Sequence, residues 1–123
     1  MITGAVNARH EMVIRLPVRN SAGQEQEVET ILDPGFNGSL TLPPVLVASL
    51  GISWRSRARA VLANGNIEQF DVYSATVVWD GVPRPILVQA IDTAPLLGMA
   101  LLVGFDLRAR VIVGVNVQTE AVP

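Results

Sequence analysis

"TILDPGFNGSLTLP", residues 30–43, carries the chain from an apolar run into a cluster of turn formers and out into a second apolar run. Asp33-Pro34-Gly35 reads as a type II turn, because Pro presets φ at the second position and Gly accepts positive φ at the third. Turn chemistry alone would account for that triplet. Two features go further. Ile31 and Leu32 lead in without polar dilution, so the Asp33 carboxylate emerges from the edge of a core. A second glycine, Gly38, follows in the same loop. One turn needs one glycine; two imply a wider loop or a close approach of two backbones.

The flanking segments are strands. "EMVIRLPV" (11–18) alternates, with Met12, Ile14, Leu16 and Val18 on one face. After the turn cluster "RNSAGQ" (19–24), "EQEVETIL" (25–32) sets Val28, Thr30 and Leu32 against Glu27 and Glu29. The pair is a hairpin whose second strand delivers the chain to Asp33. Downstream, "SLTLP" (39–43) is a short strand, and "PPVLVASLGI" is a short helix with Pro at its start and Gly51 at its end. Residues 53–92 are strand and turn, with hairpin signals at Asn64-Gly65 and Asp80-Gly81. Leu62 and Ile67 are apolar near the tip of the first of these hairpins, where a plain surface hairpin is polar and a mobile flap is not. A short helix runs from Gly98 to about Val103, and "RVIVGVNV" (110–117) reads as a final strand. In "APLLGMALL" (94–102), Gly98 after two leucines implies a backbone packed too closely for a side chain. The chain reads as mainly β with one or two short helices, in a single domain over residues 1–123.

Composition narrows the chemistry. There is no Cys and no Lys, and His10 is the only His. That excludes disulfides, thiolate nucleophiles, Schiff-base lysines and a His-rich metal site within one chain, leaving carboxylates, hydroxyls and backbone. No metal and no cofactor is expected. Half the residues are hydrophobic and only 16% are charged, which is apolar for 123 residues and is relieved if copies bury surface against each other. A net charge of −2 gives no sign of a nucleic-acid or membrane partner. Arg55, Arg57 and Arg59 read as the solvated face of a strand. The opening stretch lacks the apolar core of a signal peptide, and the run 94–105 is short of the roughly 18–20 residues of a membrane helix, so a cytoplasmic protein is expected. His10 is expected to be exposed, Trp54, Tyr73 and Trp79 to pack on strands or an interface, and Asp106 to begin a turn.

In order and spacing, three pieces resemble the retropepsin-like aspartic proteases, specifically the small bacterial single-lobe group. They are Ile31-Leu32-Asp33-Pro34-Gly35, the hairpin around Ala63 to Asn66, and Leu96-Leu97-Gly98 followed by Met99-Ala100-Leu101-Leu102. The resemblance covers roughly residues 10 to 115. It implies a closed β-barrel and a homodimer in which each chain supplies one Asp of a catalytic pair. Asp33 would then be the acid–base residue of an endopeptidase acting on a peptide or protein substrate. Gly35, Asn37 and the flap residues Ala63, Asn64, Gly65 and Asn66 would hold that substrate. Two positions depart from the family. Its Thr or Ser between Asp and Gly is Pro34, which has neither hydroxyl nor N–H to lock two loops across a two-fold axis. The Arg-Asn of the retroviral branch is Met99-Ala100. A second reading therefore stays open: a catalytically inactive dimer of the same fold that binds peptide or serves assembly.

Overall fold

A computed structural model describes residues 1–123. Period-two alternation builds its first sheet. Strands β1 (Ile2–Val6), β2 (Met12–Arg19) and β3 (Glu25–Leu32) form an antiparallel meander, with Leu16 opposite Val28 and Ile14 opposite Thr30. Ile14, Leu16, Val18, Val28 and Leu32 face the core while Arg15, Glu27 and Glu29 face solvent. Thr30 is the one polar residue in this inward row. Its Oγ1 donates to the Ile14 carbonyl at 2.7 Å, which satisfies the hydroxyl in a dry setting.

The chain continues through β4 (Leu40–Leu42), α1 (Pro44–Leu50), β5 (Ser53–Val61), β6 (Ile67–Trp79), β7 (Val82–Ala90) and the two-residue β8 (Leu96–Leu97). A 3₁₀ helix, Met99–Leu102, then leads into β9 (Phe105–Ala109) and β10 (Asn116–Ala121). Pro at its first turn and Gly51 in the left-handed region (φ 66°) bound α1 as the sequence predicts. The strand order is β5-β6-β7-β4-β8-β3-β2-β1-β10-β9. Pairing of β2 with β6, through Val18–Val77 and Arg19–Thr76, joins strands distant in that order. It closes the ring β2-β3-β8-β4-β7-β6 around one core of 18 buried residues. Trp79 sits in this core and meets Phe105 edge-on, ring centres 5.7 Å apart. No helix is long and apolar enough to cross a membrane.

Several expectations need correction. Asp80-Gly81 is a two-residue turn with both residues at positive φ (52° and 74°), but Asn64-Gly65 is not. Only Gly65 is left-handed (φ 83°); its N–H donates to Leu62 O, and Leu62 N–H donates to Asn66 O. The result is a three-residue loop, Ala63–Gly65, with glycine in the bulge position. The run 110–117 is not one strand. Gly114 at φ 81° turns the chain, Val115 N–H reaches Ile112 O, and Val111, Ile112 and Val113 are exposed at the tip between β9 and β10. Apolar alternation imitated a strand there because a hairpin tip carries valines in place of polar residues. Asp106 accordingly lies within β9, opposite Glu120, and begins no turn. The expected helix from Gly98 is a single 3₁₀ turn, and Met99 and Val103 are exposed, not buried. Arg55 is the extra residue at a bulge in β5, so the three arginines do not share one uninterrupted face; Arg57 pairs with Asp71 at 3.5 Å.

The centre of the barrel wall is the short β8. It runs parallel to β3 (Ile31–Leu96, Leu32–Leu97) and antiparallel to β4 (Leu40–Leu97), so it fills the gap between the strands on either side of the Asp33 loop. The main chain continues across that loop at Gly98. A Cβ there would stand 2.0 Å from the Gly38 carbonyl oxygen and 2.6 Å from the Phe36 ring. Gly98→Ala should therefore cost about 3 kcal/mol in urea unfolding or abolish folding, since backbone blocks the new methyl group. Gly23→Ala has open space around it and only its positive φ (79°) to oppose it, and should cost no more than about 1–2 kcal/mol.

Candidate functional site

The loop 33–39 begins where β3 ends and is fixed to the segment after β8 by main-chain hydrogen bonds. Asp33 N–H donates to Leu97 O at 2.9 Å, and Gly98 N–H donates to Ser39 O at 2.9 Å. Met99 N–H reaches Phe36 O at 2.8 Å, and Ala100 N–H reaches Gly38 O at 3.1 Å. The last two donors open the 3₁₀ helix, where N–H groups have no partner of their own. Met99 and Ala100 thus hold the loop through backbone, so their side chains need no polar atoms for that task.

Within the loop, Phe36 N–H closes the turn on Asp33 O at 3.1 Å. Gly35 is not at positive φ, so this is not the type II turn that Asp-Pro-Gly predicts. The carboxylate is the reason. Asp33 Oδ1 accepts the Gly35 N–H at 2.9 Å, folding the turn inward around the side chain. A Cβ at residue 35 would stand 3.2 Å from that oxygen. A side chain here would press on the carboxylate and shift it by a few tenths of an ångström. Asp33 is half-buried and its second oxygen accepts no hydrogen bond within the chain, while Pro34, Gly35 and Asn37 are exposed beside it.

Ala63, Asn64, Gly65 and Asn66 form the exposed tip of the β5–β6 hairpin. Their hydrogen bonds stay inside the hairpin, including Asn66 N–H to Asn64 Oδ1 at 3.0 Å. Asp33, Gly35 and Asn37 are thus brought together in one loop, whereas the tip makes no hydrogen bond to that loop. Between hairpin and barrel lies a groove of about 500 Å³, lined by Ala60, Leu62 and Phe70 on one side and Gln89, Ala90 and Ile91 on the other. Gln89 links this groove to the Asp33 loop: its amide nitrogen lies 3.4 Å from where a Cβ on Gly38 would stand. The sequence reading passed over Phe70, Gln89 and Ile91. The available signal was the alternation of Glu68, Phe70 and Val72, which puts Phe70 on the inward face of the hairpin with the buried Val72.

No family model and no curated protein matches the chain. Solved structures do. One is a retropepsin-like aspartic protease from Rickettsia conorii, similar at a TM-score of 0.55 over 98% of this chain and 92% of that one, with 17% identity. Another is EIAV protease complexed with the inhibitor HBY-793, at a TM-score of 0.53 over 78% of this chain and 88% of that one, with 16% identity. A six-strand closed ring, a two-residue strand wedged beside the Asp33 loop and these two likenesses give one result: the chain has the retropepsin-like fold.

Proposed function

We propose that this chain is a single-domain aspartic endopeptidase that works as a homodimer, with one Asp33 from each copy at its centre. The observation that carries the reading is the Asp33 carboxylate itself. It is half-buried at the end of β3, its loop is anchored by four main-chain bonds, and one oxygen is left without a partner. A lone carboxylate is half of an acid–base pair. Two such groups about 3 Å apart cannot both ionise and share one proton. The charged member takes a proton from a bound water, and the protonated member polarises the scissile carbonyl. Gly35 and Asn37 contact the substrate main chain beside the pair. Ala63 to Asn66 close over an extended peptide whose side chains enter the groove at Phe70 and Gln89.

The surface supports a second copy. Strand β9 ends the sheet order with one edge unpaired. Val103, Leu107, Val111, Ile112 and Val113, from the segment that contains it, are all exposed. Apolar surface of this kind beside an open strand edge fits an interface between copies. Pro34 favours the other reading, an inactive dimer that binds peptide, because it removes both groups by which the family locks its two loops together.

A digest of a peptide library between pH 4 and 7 separates the two. Asp33→Asn should lower the cleavage rate by about three orders of magnitude with the melting temperature and peptide affinity retained. Cleavage that survives the substitution removes Asp33 from the chemistry and ends the proposal. Pro34→Thr restores a hydroxyl and an N–H at the loop tip. It should tighten the dimer about tenfold in sedimentation equilibrium, the worth of one modest hydrogen bond on each side, and a weaker dimer would show that the loops do not meet.

A further inference from the structure

We infer that Arg84 is a positioning residue for the Asp33 loop, acting through the 3₁₀ helix; this rests on the reading of Asp33 as the acid–base group. Arg84 lies on β7, opposite Val77 of β6, and is half-buried. Its Nη1 donates to the main-chain carbonyl of Leu101 at 3.2 Å. That carbonyl belongs to the four-residue helix whose first two N–H groups hold Phe36 O and Gly38 O. Arg84, Leu101, Met99-Ala100 and the loop 36–38 thus form one continuous chain of contacts from the barrel wall to the site.

The helix needs this outside support. A single 3₁₀ turn is too short to be stable alone. It has no side-chain cap at Gly98, no acid in its first turn and no base in its last. Its C-terminal carbonyls are left without helical partners, and a guanidinium is the strongest donor available to one of them. A positive charge at that end also matches the direction of the helix dipole. The chain's other arginines are engaged differently: Arg15, Arg19 and Arg57 pair with Glu27, Glu25 and Asp71 across strands, in exposed pairs that set no loop. Arg84 alone among the arginines donates a side-chain hydrogen bond to a main-chain carbonyl. Since Pro34 offers no lock from a facing copy, the rigidity of the loop must come from within the chain: Asp33's own carboxylate shapes it from inside, and Arg84 supports from outside the helix that holds it.

The test is amide hydrogen exchange resolved by residue, on the wild type, Arg84→Met and Arg84→Lys. Met keeps the stem and removes the donors; Lys keeps one charged donor. In Arg84→Met the Met99 and Ala100 amides should exchange about tenfold faster or more, the range expected for loss of a charged hydrogen bond. Amides of the remote β2–β3 ladder should not change, and Arg84→Lys should recover part of the protection. Uniform acceleration across the ladder would make Arg84 a general stabiliser and overturn the inference, as would unchanged Met99 and Ala100. In peptide cleavage, Arg84→Met should lower kcat with KM held, and Arg84→Lys should restore part of it. A rise in KM with kcat unchanged overturns the positioning role. Local exchange at Met99 and Ala100 in a chain that cleaves nothing upholds the support of the loop and removes the endopeptidase reading instead.

Discussion

Two backbones touch at Gly98 and Gly38, and everything near Asp33 depends on that contact. With a side chain at Gly98 the segment after Leu97 could not lie against the Gly38 carbonyl, and the bonds from Met99 and Ala100 could not form; a side chain at Gly38 would instead run into the Phe36 ring of the same loop. Close approach of this sort trades side-chain packing for direct main-chain hydrogen bonding. It also explains why β8 needs only two residues. Its stability derives from being wedged between β4 and the apolar end of β3 at Ile31-Leu32, and not from its own length.

Support of the loop by backbone changes what the nearby side chains must do. Where a polar pair would anchor the loop in the retroviral branch, Met99 and Ala100 present only N–H groups, which any residue but proline can supply. The anchor thus rests on geometry more than on residue type: on the close approach at Gly98 and on the N–H groups of the 3₁₀ turn. Pro34 fits the same scheme. It removes donors from the loop tip but narrows the loop's own conformational range, a gain made in the unfolded chain as much as in the folded one.

Much of this was legible from sequence because it rests on local rules. Residues 12–32 gave a hairpin through alternation, α1 was bounded by Pro and Gly51, and the tight space at Gly98 followed from a glycine set among leucines. The misses have two causes, partners far away in sequence and local backbone choices that residue type alone does not decide. β1 becomes a strand by pairing with β10 and β2, and β8 by pairing with β3 and β4; neither has a periodicity long enough to read. Val111, Ile112 and Val113 have the pattern of a strand but occupy a turn, because Gly114 decides the backbone and the apolar surface has no intrachain cover. At the candidate site, the place of Asp33 at the end of an apolar strand was readable and the shape of its turn was not. The turn is bent by the aspartate's own side chain, and propensities for Pro and Gly do not contain that term. Arg84 left no signal at all, since a single arginine in a strand says nothing about which carbonyl it meets.

The seam between β2 and β6 consists of two residue pairs, Val18–Val77 and Arg19–Thr76, yet it turns an open meander into a ring. Its members are 59 and 57 residues apart along the chain, so loop-closure entropy weighs on it more heavily than on any hairpin. Closure of the ring therefore depends on pairings distant in sequence, this seam together with the β3–β8 junction. A valine-rich inner face that only distant pairings can cover is one for which neighbouring chains can compete while the ring is open.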